Sequence, residues 1–332
     1  MKLLIALAVG IVLYFVVSII YKRFWHKGLN IAVEFEQEVL RVGESNTMVE
    51  KISNDKILPI SILQIRFAIT KTFKFAEAKK NSAASDQNYR SDFFSVLPYQ
   101  KVTRSYPCKC TKRGCFQLSS IDVFGMDFFI SKARRMSLKT PKLVYVLPKK
   151  LGEMSIPDSV SKALASVDTE QNGKCMILLN TELNSMSKAE ELVEDGICIA
   201  DAVISHCFKN NIPVSLRTNA ADLITGEECV TGVVSDTDDE ISLEKTLARI
   251  DATKNVRAFK HIMHEAAKDD KGNILYILIS NNRKSDFVKV YNEFIEEGEH
   301  NTLLIIPEFN NVDIAPFEDD KEKVVKWVVE ND

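Results

Sequence analysis

Residues 3–21 read LLIALAVGIVLYFVVSIIY, with no charged side chain among them. At 1.5 Å per residue such a helix rises roughly 28 Å, close to the hydrocarbon thickness of a bilayer. The run passes into Lys22, Arg23, Phe24, Trp25 and Lys27, not into the small residues at which a secretory signal is cut, so it reads as a retained anchor. The rings of Tyr21 and Trp25 suit the headgroup layer, and Lys22, Arg23 and Lys27 form a basic flank. These five are the expected membrane-interface residues. Weighed against Lys2 and the amino terminus on the far side, the flank predicts a single-pass cell-membrane protein with a cytosolic body. Seven scattered cysteines agree, since they form no compact disulfide framework. A formal net charge of −3 supplies no broad basic field, and no nucleic-acid partner is expected.

Beyond residues 1–28, the anchor and its flank, two patterns follow. Residues 29–148 have period two: Ile31, Val33 and Phe35 alternate with Glu34 and Glu36, and Ile65, Phe67 and Ile69 with Arg66 and Thr70. Breakers stand at Gly43, Asn54-Asp55, Pro98 and Gly114, and the polar stretch 77–88 reads as a mobile loop. This half is expected to be an antiparallel β-sandwich, Ig-like in the loose sense. Residues 149–173 read as a linker. In residues 174–332 short apolar runs at 175–179, 212–216, 274–279 and 303–306 alternate with helical patterns at 187–210, 243–250, 258–267 and 286–297. A short edge strand at 229–234 and a closing helix from about 319 to 330 complete that reading. Strand–helix alternation predicts a three-layer α/β domain with a mostly parallel sheet.

Three motifs, Arg113-Gly114-Cys115-Phe116, Asp122-Val123-Phe124-Gly125-Met126 and Val144-Tyr145-Val146-Leu147-Pro148, follow one another in an order that resembles the family called domain of unknown function 58 (DUF 58). That resemblance implies a β domain followed by an α/β domain similar to the von Willebrand factor A fold. Gly114 and Gly125 suit tight turns, and Asp122 suits bonding to its own backbone within one. Residues 149–174 contain no Arg, Tyr or Trp, so the family's Arg-x-Tyr, Gly-Asp and Trp-Lys stretch is missing, and one span stands where the family has two.

Von Willebrand A domains often hold Mg²⁺ through D-x-S-x-S after the first strand. The matching positions are Asn180, Glu182 and Asn184, where one carboxylate remains and both hydroxyls are lost. The set is a degenerate metal site, so no metal and no cofactor are expected. Cys108, Cys110 and Cys115 lack a nearby fourth ligand for zinc and read as packing residues. His261 and His264 share a helix face but no H-E-x-x-H pattern, and Asp236, Asp238, Asp239 and Glu240 read as a solvated loop. Lys101, Arg104, Lys109, Lys112 and Arg113 read as a solvated basic face.

No phosphate loop, nucleophile elbow or dinucleotide fingerprint is present in the sequence. The expectation is a non-enzymatic, bacterial, membrane-tethered scaffold or adaptor whose α/β domain binds another protein. Binding is expected at strand ends, in residues 180–185, 219–226 and 280–285. The resemblance implies a MoxR-type AAA+ ATPase or a transglutaminase-like membrane protein as partner. The alternative is a divalent-metal-dependent ligand-binding domain using Asn180, Glu182 and Asn184.

Overall fold

In the computed structural model the described residues are 1–75, 82–84, 87–118, 120–126, 133–139, 142–152, 155–183, 188–269, 273–298, 301–308, 317 and 323–329. Helix α1 (Lys2–Phe24) takes up the opening apolar run. It is long and apolar enough to cross a membrane, a property that anchors and signal sequences share. Its side chains are exposed apart from a stripe of Tyr14, Val17, Ser18 and Tyr21, spaced i, i+3, i+4, i+7 on one face.

That stripe leads to a docked end. The Tyr21 hydroxyl donates to the Pro59 carbonyl at 2.7 Å, and Tyr21 is only 2 % exposed. Trp25, 7 % exposed, lies over Gly125, where a Cβ would come within 2.5 Å of its ring. The two rings expected in the headgroup layer are therefore covered by protein, while Lys22, Arg23 and Lys27 remain exposed. The buried Tyr21 ring with its hydroxyl paired and the Trp25 ring packed on Gly125 are strong packing elements that fix the chain here.

The chain continues through β1 (Leu29–Phe35), β2 (Val39–Arg41), β3 (Ser45–Asn54), β4 (Ile60–Thr70) and β5 (Phe73–Phe75). Then come β6 (Ser82–Ala84), β7 (Gln87–Val96), β8 (Lys101–Cys110), β9 (Gly114–Gln117), β10 (Ile121–Met126), β11 (Ala133–Leu138) and β12 (Leu143–Leu147). One compact unit comprises Met1–Lys112 and Phe116–Val144. It holds two antiparallel sheets, ordered β1-β3-β8-β5 and β11-β10-β4-β7-β6. They face each other, since Arg90 of β7 stacks over Tyr106 of β8 at 3.5 Å and Arg104 of β8 lies over Phe94 of β7 at 4.1 Å. This is an Ig-like sandwich in its two facing antiparallel sheets.

Inward residues recur at period two, as with Met48, Glu50 and Ile52 on β3, all essentially unexposed. Glu50 breaks the apolar rule. It accepts from the Tyr106 hydroxyl at 3.3 Å, beside the buried Arg90–Asp92 ion pair of 2.7 Å. Burial and the neighbouring Asp92 charge push its carboxyl up to about 7, against the pull of Arg90 and Arg104.

Three local expectations are corrected here. Residues 122–126, read as a turn, are a strand: Asp122 bonds Arg135 of β11, and Gly125 makes room for Trp25 instead of supplying a positive φ. Ser82–Ala84 of the polar stretch pairs with β7 as a hairpin, while residues 76–81 and 85–86 lie outside the described residues.

The second unit comprises Arg113–Cys115 and Tyr145–Asp332. It contains α2 (Asp158–Ala165), β13 (Lys174–Leu179), α3 (Ala189–Lys209), β14 (Val214–Asp222), β15 (Glu228–Val230) and α4 (Thr237–Arg249). After these come β16 (Ile250–Asn255), α5 (Phe259–Asp269), β17 (Ile274–Ile279), α6 (Ser285–Gly298), β18 (Asn301–Glu308) and β19 (Val324–Val328). Residues 158–165, expected within a linker, fold as α2, whose Val160 and Leu164 are fully buried in the core beside α3. The closing helix is corrected as well: residues 324–328 pair in parallel with β18, and residues 319–322 lie outside the described residues. Val324, Val325 and Trp327 are buried, a density of β-branched and aromatic residues that suits a covered strand.

The sheet order is β15-β14-β13-β17-β18-β19, with β16 also paired to β14. The strands from β14 to β19 along this path are parallel, while β15 and β16 run antiparallel to β14. The sheet is thus mixed. Cys175, Ile177 and Leu179 of β13 pack with α3 on one face, and Met176 and Leu178 with α5 and α6 on the other. A strand covered on both faces must be apolar at every position, which is why it reads as a continuous run.

Two tests follow from the first unit. Gly125→Ala should displace Trp25, seen as a red shift and increased quencher access of its fluorescence; unchanged emission would mean the ring is not held there. For Glu50 the folded chain binds its proton more tightly than the ordinary value of 4.5, so its contribution is present below that pH and lost as pH rises through about 7. Glu50→Gln should therefore stabilise the sandwich at pH 8 by on the order of 2 kcal/mol and change little near pH 5. Equal thermal shifts at both pH values would assign the cost to packing.

Candidate functional site

The strand order reverses direction at β13. The loop after β13 leads to α3 on one face of the sheet, and the loop after β17 leads to α6 on the other. Such a switch point opens a crevice at the carboxyl ends of the strands. Its floor is built of uncharged polar groups: Asn180, Thr181, Asn219, Ser280 and Asn281 are all buried.

Asn180, Thr181, Asn219 and Ser280 are tied into one network. Asn180 Nδ2 donates to Ser280 Oγ at 3.0 Å, and Asn180 Oδ1 accepts from the Glu182 backbone at 2.9 Å and from Asn219 Nδ2 at 3.4 Å. The Thr181 N–H donates to Asn219 Oδ1 at 3.0 Å, and the Thr181 hydroxyl to Asn255 Oδ1 at 2.7 Å. Ser280 Oγ also accepts from the Asn282 backbone at 3.1 Å. Each amide spans the gap between neighbouring strand ends, so the network sets loop shape.

Glu182 Oε1 accepts from the backbone N–H of Phe259, the first residue of α5, at 2.8 Å. A carboxylate there stabilises an unsatisfied helix-start donor and the positive end of the helix dipole. Asn180 and Glu182 thus reach the same sheet edge, as expected, but both serve the backbone; Asn184 lies outside the described residues. A cleft of about 360 Å³ lies above them, lined by Glu182, Leu183, Thr253, Asn255, Asn282 and Lys284. On the loop after β14, Asp222 binds Arg249 and accepts from the Ile224 and Thr225 N–H groups, and Gly226 takes φ +73°. That turn holds Leu223 and Ile224 about half exposed, and Leu183 on the β13 loop is similarly exposed.

Other candidates fall into plain structural roles. Cys108 and Cys110 are buried on β8, and burial pushes their thiols up to about 11 and about 12. Asp238, Asp239 and Glu240 form the first turn of α4, where acidic side chains suit the dipole, so they are not a loop. His261 and His264 lie on α5, the first exposed and the second half-buried. Arg113 is not part of a solvated face. It is 4 % exposed, binds Glu194 through two bonds of 2.8 and 2.9 Å, and donates to the carbonyls of Leu247 and Ile250 at 2.7 and 2.8 Å. A cation at the carboxyl end of α4 satisfies carbonyls the helix leaves open.

No protein-family model matches the chain, and no curated protein does. Among solved structures it is similar to the CARDB domain of the PF1109 protein from Pyrococcus furiosus, at 13 % identity and a TM-score of 0.22, over 36 % of this chain and 94 % of that one. The type II cohesin A11 of Bacteroides cellulosolvens matches at 11 % identity and 0.25, over 35 % and 98 %. Alpha-2-macroglobulin from Escherichia coli matches at 12 % and 0.27, over 37 % and 24 %. These partial likenesses say nothing about activity.

Glu182→Ala should leave the Phe259 N–H without its acceptor and cost about 1 kcal/mol in the thermal or denaturant transition of the second unit. Added Mg²⁺ should not shift the transition of the unsubstituted chain. A shift that disappears in the variant would make Glu182 a metal ligand instead.

Proposed function

We propose that this chain is a non-enzymatic scaffold or adaptor, held in the cell membrane by α1 with both units on the cytosolic side, and that its α/β unit binds another protein at the carboxyl edge of the sheet. The single observation carrying this reading is the edge itself: an interlocked floor of buried amides and hydroxyls beneath loops that hold Leu183, Leu223 and Ile224 out toward water. Apolar side chains held out on loops can serve as the central anchors of a protein interface, and the polar groups around them as its wetter rim. The anchoring half rests on the length and apolarity of α1, and the orientation on the exposed Lys22, Arg23 and Lys27.

The cysteines argue against nucleophilic catalysis by thiolate, since burial also pushes Cys198 and Cys229 up to about 12 and holds the thiols protonated. The resemblance to the DUF 58 family, with its von Willebrand factor A-like domain, makes a MoxR-type AAA+ ATPase or a transglutaminase-like membrane protein the partner to seek. The metal-dependent alternative has less support, because Asn180 Oδ1 and Glu182 Oε1 already accept backbone hydrogen bonds.

A photo-crosslinking amino acid at Leu223, introduced into the full chain in native membranes, should capture one AAA+ ATPase or one membrane protein reproducibly. The same label at Ile241 on α4 should not. Leu183→Asp with Ile224→Asp should reduce recovery about tenfold, the effect of losing two apolar anchors. Equal capture from both positions, or none from Leu223, rejects the edge as the binding surface.

A further inference from the structure

Beyond residue 24, where α1 ends, the three most exposed large apolar residues among those described are Ile57 at 77 %, Tyr99 at 69 % and Leu97 at 60 %. All three belong to two loops of the first unit, 55–59 between β3 and β4 and 97–100 between β7 and β8. The loops are fastened together. Buried Asn54 donates through Nδ2 to both the Leu58 and Leu97 carbonyls, at 3.0 and 2.9 Å, and the Tyr99 N–H donates to the Lys56 carbonyl at 3.3 Å. The Gln100 side chain accepts from the Leu97 N–H at 2.8 Å. Tyr99 takes φ +56°, an uncommon conformation for a bulky side chain, and it presents its ring to solvent. A soluble surface gains nothing from rigidly displaying three such residues.

Their position gives the reason. Pro59, at the end of the first loop, is the residue whose carbonyl receives the Tyr21 hydroxyl. From Tyr21 the covered stripe of α1 runs back to Tyr14, seven residues or about 10 Å toward the apolar end. The first loop thus sits where the apolar run of α1 ends, on the face that the half-buried Tyr14, Val17 and Ser18 continue. Exposed Lys22, Arg23, Lys27 and Lys101 surround this end of the unit with cations suited to lipid phosphates.

We infer that the loops carrying Ile57, Leu97 and Tyr99 are a second membrane contact, inserting these side chains at the boundary between headgroups and acyl chains of the bilayer that α1 crosses. The inference rests on the reading of α1 as a retained anchor. Tyrosine is at home at that depth, with its ring among acyl carbons and its hydroxyl among headgroups. One span alone leaves the helix free to tilt and rotate in the bilayer, and the docked sandwich moves with it. Two contacts fix the tilt of the sandwich against the membrane plane.

The test uses the full chain in vesicles of phosphatidylcholine and phosphatidylglycerol whose acyl chains are brominated near the headgroup. Tyr99→Trp and, separately, Leu97→Trp report from the loops, and the emission of Trp25 and Trp327 is taken from the unsubstituted chain and subtracted. The loop emission should fall about twofold or more in brominated vesicles, as for a ring at the interface. A chain that stays with the vesicles through an alkaline wash, yet emits from residues 97 and 99 without quenching, overturns the second contact and leaves the anchor standing. Blue-shifted emission insensitive to bromine would mean that protein covers the loops, which also overturns it. A chain that washes off the vesicles removes the anchor and this inference together.

Discussion

The bond from the Tyr21 hydroxyl to the Pro59 carbonyl decides where the apolar helix stops being independent and becomes part of a folded body. Four residues later the Trp25 ring occupies space that only a glycine at position 125 leaves open. Together these contacts join α1 to both sheets' neighbourhood without a linker: α1 ends at Phe24 and β1 begins at Leu29. A short rigid junction transmits orientation, so a helix anchored as proposed would dictate which side of the sandwich meets the membrane. The exposed loops of that side are the ones proposed to meet it.

In the second unit the controlling constraint is burial on both faces of the sheet. It forces β13 and β17 to be apolar throughout, so polar groups first appear where the strands end. Those ends come together at the reversal of strand order, and water is scarce there. Asn180, Asn219 and Ser280 must find partners among themselves, because an unpaired buried amide or hydroxyl costs about 1–3 kcal/mol. The outcome is a crevice whose floor is fixed by amides that do not titrate, above which loop side chains can vary. Such a base positions the loops above it.

Much of this was legible in the sequence, and the failures have physical causes. Helix α3 and the strands β13 and β17 were readable because periodicity reports burial, and burial on one or two faces is the strongest signal a chain carries. The loops after β13 and β17 were readable from the points where those apolar runs stop. Gly125 misled because a glycine has two uses, positive φ and close approach, and the second depends on a tryptophan one hundred residues away in sequence. Residues 324–328 misled because a short Val-rich run beside charged residues fits a helical stripe as well as a strand. The edge position beside β18 decided between them. Arg113 was read within a run of cations, and nothing local marks it as the partner of carbonyls 134 and 137 positions onward.

Arg113 and Arg90 show how pairing determines what a charge can do. Arg113 directs its guanidinium to two carboxylate oxygens and to the carbonyls at the end of α4, so every favourable contact reinforces one geometry. Arg90 has a single carboxylate partner, Asp92, and leans on the Phe75 and Tyr106 rings. A second carboxyl, Glu50, lies close enough for its proton affinity to rise, with one of its oxygens meeting no donor among the described residues. Burial and the Asp92 charge outweigh the pull of Arg90 and Arg104, and the least costly response is to keep a proton on Glu50. The first arrangement is a fixed joint; the second changes its charge near neutral pH, and it does so inside the unit that α1 holds.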